Sequence, residues 1–338
     1  DDDGWGNRAT VDAFVEYAAA VTRRLGDRVK RWVTHNEPWC IATLGHEEGH
    51  HAPGLHDPAL ALRVAHHVLL SHGRAVPVIR SEVPGAEVGL VQIHCPAMPA
   101  TDSPADHDAA RWFDGFFNRW YLEPLFHGHY PVDAINDRIA AGHLAGPDLP
   151  FVKEGDLAAI SAPLDFLGVN YYSRSVMRTN AAGQREAVPM GAPADRTDMD
   201  WEVFPDGLFE SLTALHRTYA PAAIFITENG AAYDEAIGPD GRIADARRID
   251  YLRGHVLAVQ RAIAAGVPVK GYFAWSLFDN FEWGFGFQQK FGLYAMEAGT
   301  QNRLPKDSAH WYRDVVAANA VADAVTPPMQ GEPRALDV

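Results

Sequence analysis

Three glutamates stand at or just past the carboxyl end of a short apolar stretch: Glu37 in "THNEPW" (34–39), Glu228 in "FITENGAAYD" (225–234) and Glu282 in "WSLFDNFEWGFGF" (275–287). One carboxyl can hand over a proton while another attacks a carbon that becomes electron-poor, so paired carboxylates supply both acid–base and nucleophilic chemistry. Asparagines flank the first two, at Asn36 and Asn229, and aromatic rings crowd the third. Rings beside acids are how proteins hold sugars: the C–H faces pack on the ring, and carboxylates accept paired bonds from adjacent hydroxyls. Each motif alone also has a plain reading. Asn, Glu and Pro punctuate loops, Glu228 is equally well a loop carboxylate, and aromatic clusters are often core and rim.

The elements that must position these residues follow from periodicity. Val11, Phe14, Ala18, Val21 and Leu25 recur at helical spacing, predicting a helix over 10–25 that stops at Gly26. A strand over 29–35 follows, then a helix with Asp57 as N-cap and Pro58 at its first position. Further strands are expected at 87–94, 165–171, 222–227 and 269–275, separated by helices whose stripes include Phe113, Phe116 and Trp120, then Leu208, Leu212 and Leu215, then Ile249, Leu252 and Val256. The segment from 171 to about 204 reads as a long polar loop, and the last helix as 307–319. Five near-continuous apolar strands alternating with helices imply a parallel sheet covered on both faces. Period alone leaves open whether it is open or closed, but acids at strand carboxyl ends favour the catalytic face of a (β/α)₈ barrel.

Composition excludes more than it assigns. The 338 residues carry 29 Lys plus Arg against 44 Asp plus Glu, a net −15, which repels nucleic acid and anionic membrane surfaces. Cys40 and Cys95 make neither a disulfide framework nor a cysteine-based zinc site. No apolar run reaches the length of a membrane span.

In the order "T-x-NEP" (Thr34 to Pro38), "NYY" (Asn170 to Tyr172), "ITENG" (Ile226 to Gly230) and "WSLFDNFEW" (Trp275 to Trp283), the chain resembles glycoside hydrolase family 1, the retaining β-glucosidases and their relatives. The likeness runs from Gly4-Trp5 to "PKDSAHWY" at 305–312. It implies a (β/α)₈ TIM barrel, with a single catalytic domain over 1–320 and a tail over 321–338. It also implies hydrolysis of terminal β-D-glucosyl residues, cello-oligosaccharides included, through a covalent intermediate. By the same resemblance Glu37 is the general acid/base and Glu228 the nucleophile. Asn36 bonds the 2-hydroxyl, Tyr172 donates to the nucleophile and Asn170 supports that neighbourhood. Trp275 floors the sugar, and Glu282 with Trp283 reads the 4- and 6-hydroxyls. Glu37 is expected to have the higher pKa of the pair. The expected partner is a small β-glycoside, with a homo-oligomer allowed, a cytoplasmic location, and no metal or cofactor.

Family members carry three more strands before this chain's first helix, with a glutamine on the first and a histidine in an "HWD-LP"-like segment on the third. Neither motif occurs in residues 1–338, so about five of eight strand–helix units are expected here. Two alternatives follow: an inactive fragment or carbohydrate-binding remnant, and a relative preferring galactosides, fucosides or phosphorylated sugars. "HEEGH" (His46 to His50) matches the zinc pattern H-E-x-x-H, which needs both histidines on one helical face, but a glycine interrupts it here. The run "GFG" at 284–286 lacks the lysine of a phosphate loop, so it reads as rim structure.

Overall fold

Val-, Ile-, Leu- and Phe-rich runs become strands because both faces of a parallel sheet are buried under helices. The computed structural model describes residues 3–297 and 299–321, so the expected tail, beyond residue 321, lies outside the described residues. Helix α1 (Ala9–Leu25) leads to β1 (Arg31–Asn36), α2 (Pro58–Glu82), β2 (Glu87–Ile93) and the short β3 (Ala97–Pro99). Then come α3 (Pro104–Asp114), α4 (Trp120–His127), α5 (Val132–Ala140), α6 (Asp156–Ile160), β4 (Phe166–Asn170), β5 (Ser175–Thr179) and β6 (Arg185–Ala187). Helix α7 (Pro205–Tyr219), β7 (Ile224–Asn229), α8 (Ala246–Ala264), β8 (Val269–Ala274), β9 (Tyr294–Met296), β10 (Arg303–Pro305) and α9 (Asp307–Ala318) complete the order.

The main sheet is five parallel strands in the order β1-β2-β4-β7-β8, so sequence neighbours in the βα series are spatial neighbours. Among the described residues β1 and β8 do not pair, and the sheet is open at both. Coverage follows that topology. The central strand β4 is buried along its whole length, whereas Val33 on β1 and Phe273 on β8 are 43% and 56% exposed.

Local chemistry fixes the helix ends. Asp57 caps α2 by accepting from the Leu60 amide at 2.9 Å, with Pro58 just inside. The aromatic stripe expected near 109–120 crosses two helices, α3 and α4, joined by a wide helical turn at Gly115–Arg119. Trp120, at the start of α4, is almost wholly buried.

The expected loop after 171 is corrected by the structure. Strands β5 and β6 form an antiparallel hairpin, and β3 pairs with β5, so a three-stranded sheet stands above the carboxyl ends of the main strands. Its strands are only three to five residues long: β3 is just Ala-Met-Pro, and β5 and β6 mix apolar residues with Ser, Arg, Thr and Glu, so none carries an apolar run long enough to announce it.

Candidate active site

The carboxyl ends of the five main strands are tied by backbone bonds, with the pairing shifting register near the ends of β1, β4 and β7. Glu37 donates its amide to the Val91 carbonyl, His94 to Asn170, Tyr171 to Glu228 and Trp275 to Asn229, at 2.9, 2.9, 3.0 and 2.9 Å. Gly230, just after Glu228, is what lets β7 and β8 end together. A Cβ at that position would lie 1.7 Å from the Trp275 carbonyl oxygen. Glu37 itself has φ 51, a left-handed backbone that costs a non-glycine residue about 1–3 kcal/mol and is held by the surrounding bonds.

Above these ends lies a cleft of about 2060 Å³, lined among others by Asn36, Glu37, Tyr172, Glu228, Trp275, Glu282 and Trp283. Seven of the eight residues singled out in the sequence therefore share one cavity. Asn170 does not line it. It is fully buried beneath, and its amide donates to Asn36 Oδ1 at 3.0 Å and Glu37 Oε1 at 2.7 Å while its carbonyl accepts from Thr227 at 2.6 Å. With both N–H donors used and no surface exposed, Asn170 positions two cleft residues from behind the cleft wall. Asn36, whose oxygen is taken by Asn170, keeps an NH₂ without a protein partner among the described residues.

Glu228 accepts from the Tyr172 hydroxyl at 2.6 Å, and Glu37 accepts from the Cys40 thiol at 3.0 Å. Cys40 and Thr227 escaped the sequence reading, since a cysteine three residues after Glu37 and a threonine just before Glu228 carry no signal of their own. Among the described residues neither glutamate forms an ion pair. Burial pushes both carboxyls upward, and the charge of Glu37 adds to the rise at Glu228, which reaches about 7. Bonds from Asn170 and Cys40 to Glu37, and from Tyr172 and Asn170 to Glu228, oppose that rise by favouring the ionised forms. Two like charges at one site disfavour ionising together. Both hold protons more tightly folded than unfolded, so they cost stability as pH rises from the ordinary carboxylate range through about 7.

The aromatic loop after β8 is tied down by polar residues. Asp279 accepts from the Gly292 amide at 2.8 Å and from Lys306 at 3.2 Å, and Asn280 donates to Ser276 Oγ and the Phe278 carbonyl, both at 3.1 Å. Trp283, 65% exposed, stacks on His51 with ring centroids 5.1 Å apart. "HEEGH" does not form the zinc motif: its helical turn ends at Glu47, Gly49 has φ 70, and His46 bonds the Ile41 carbonyl.

A parallel strand–helix sheet with two half-buried carboxyls facing a large aromatic cleft at its carboxyl ends is a (β/α)-barrel hydrolase site. The family model for glycosyl hydrolase family 1 matches residues 1–321. Beta-glucosidase A of Thermotoga maritima is 39% identical over 321 residues, which cover 95% of this chain and 70% of that protein. The bifunctional beta-D-glucosidase/beta-D-fucosidase of Bifidobacterium breve is 39% identical, covering 93% and 70%. In three dimensions the chain matches the family 1 β-glucosidase of Thermotoga maritima with a TM-score of 0.88, over 94% of this chain and 70% of that one. The β-glucosidase of Exiguobacterium antarcticum matches with a TM-score of 0.89 at 40% identity, over 94% and 71%. The chain belongs to glycosyl hydrolase family 1, and its five parallel strands are part of that family's barrel.

Proposed function

We propose that residues 1–320 form one catalytic domain of a retaining exo-β-glycosidase that hydrolyses terminal β-D-glucosyl residues, including those of cello-oligosaccharides. The observation that carries this reading is the pair Glu37 and Glu228 at the ends of β1 and β7, each half-buried at the cleft and each held by its own donors. Glu228, oriented by Tyr172, whose bond favours its ionised form, attacks the anomeric carbon. The bond to the aglycone breaks as Glu37 gives its proton to the departing oxygen. Glu37, now a carboxylate, then takes a proton from water as that water attacks the same carbon and releases Glu228. Trp275 lies under the sugar, Asn36 offers its free NH₂ to the 2-hydroxyl, and Glu282 with Trp283 binds the far hydroxyls. Glu282 also disfavours a 6-phosphate, whose charge it would repel.

Two displacements at one carbon leave its configuration unchanged. Proton NMR of the first minutes of hydrolysis, on a chain completed to eight strands, is expected to show β-glucose appearing before mutarotation forms the α anomer. Initial α-glucose would mean an inverting pair and would remove the nucleophile role from Glu228.

The Bifidobacterium breve relative's name includes a fucosidase activity, and a fucoside lacks the 6-hydroxyl. That favours a 6-position loosely read by Glu282 over one strictly required. No helix among the described residues is long and apolar enough to cross a membrane. Cys40 and Cys95 are unpaired, which fits the reducing cytoplasm we propose as its location. The open edges of β1 and β8 are where copies of the chain would associate.

A further inference from the structure

Helix α4 ends away from the cleft in the sequence "EPLFHGH", residues 123–129. Glu123 and His127 are four residues apart and share a helix face, with His127 Nδ1 2.9 Å from Glu123 Oε2. Gly128 follows with φ 70, a left-handed cap that reverses the chain and returns His129 to the same spot. His129 Nε2 lies 3.8 Å from that same Glu123 oxygen, and the two imidazole rings stack at 5.9 Å with 28° between their planes. One potential ligand atom from each of the three residues lies within 4.8 Å of the others.

We propose that Glu123, His127 and His129 form a transition-metal site of zinc type on the outer face of the barrel. Four-coordinate zinc with bonds of about 2.1 Å sets its ligand atoms about 3.4 Å apart, and the observed separations bracket that value. Imidazole is a ligand for zinc, copper and nickel. The carboxylate is placed in advance. Glu123 is only 14% exposed, and its other oxygen accepts from the Tyr219 hydroxyl of α7 at 3.3 Å. Such outer partners orient metal-binding carboxylates. The histidines, 38% and 61% exposed, leave the remaining coordination position to water. A helix-capping ion pair accounts for Glu123 and His127 alone, but not for a second imidazole stacked against the first. Metal here would fasten α4 to α7 through Tyr219 and would not enter the cleft chemistry.

The test is equilibrium dialysis of the chelator-stripped chain, completed to eight strands, against Zn²⁺ near pH 7.5, with melting temperature followed in parallel. The native chain is expected to bind one equivalent that His127→Ala and His129→Ala each weaken by at least about 10-fold, with Tyr219→Phe weakening it roughly 10-fold. Zinc should raise the melting temperature of the native chain but not of H129A, whose side chain is exposed and whose fold the substitution spares. Equal uptake by the native chain and a His127→Ala/His129→Ala variant, or no uptake at all, would overturn the site.

Discussion

Residues 1–338 purified alone are expected to hydrolyse β-glucosides roughly 10²–10⁴-fold more slowly than the same chain joined to the three amino-terminal strand–helix units of the Thermotoga maritima relative. A barrel removes its edges only by closing, and here β1 and β8 remain apart with unpaired backbone groups along both. Val33, Phe273 and Leu277 are exposed on or beside those strands. An exposed, unpaired edge flanked by apolar side chains is a template for pairing with another chain, so the chain alone should also aggregate. The sugar would meet Glu37, Glu228 and Trp275 but not the glutamine and histidine that the family carries on its first strands. Light scattering, thermal melting and cellobiose turnover on both proteins check this. A monomeric, cooperatively melting and fully active 1–338 would show that five strands suffice.

In the completed chain, Glu37→Ala is expected to cost roughly 10²–10⁴-fold on substrates with poor leaving groups such as cellobiose, and much less in the first step on nitrophenyl glucosides. A nitrophenolate departs without a proton, whereas a sugar alkoxide does not. The second step still lacks its base, so the covalent intermediate should accumulate on the activated substrate. Azide, which attacks without base assistance, should then restore turnover and yield the β-glucosyl azide. An equal loss on both substrates, with no response to azide, would remove Glu37 from the acid/base role.

The strands and the two glutamates were legible because their signals are local. Apolar runs bounded by Asn, Gly and Pro mark β1, β4 and β7, and Glu37 and Glu228 follow the runs directly. The β5–β6 hairpin was not legible, because its strands are short, mix apolar with polar residues, and take their order from β3 rather than from an apolar face. Cys40 and Thr227 were invisible for a different reason: each matters only through a bond to Glu37 or Asn170, and no spacing rule carries that. The donors that oppose the rise of each carboxyl are likewise assembled only by the fold. Asn170 shows the limit most clearly, since the motif identifies it while the structure puts it behind the cleft wall.

The most direct measurement is mass spectrometry of the completed chain after incubation with a 2-deoxy-2-fluoro-β-glucoside bearing a good leaving group. The fluorine slows both steps, and the leaving group rescues only the first, so the glycosyl-enzyme should persist. Peptide mapping is expected to find one fluoroglucosyl group, on Glu228. Label on Glu282 or Glu37, or an unlabelled and inactivated protein, would contradict the assignment of Glu228 as the residue that attacks.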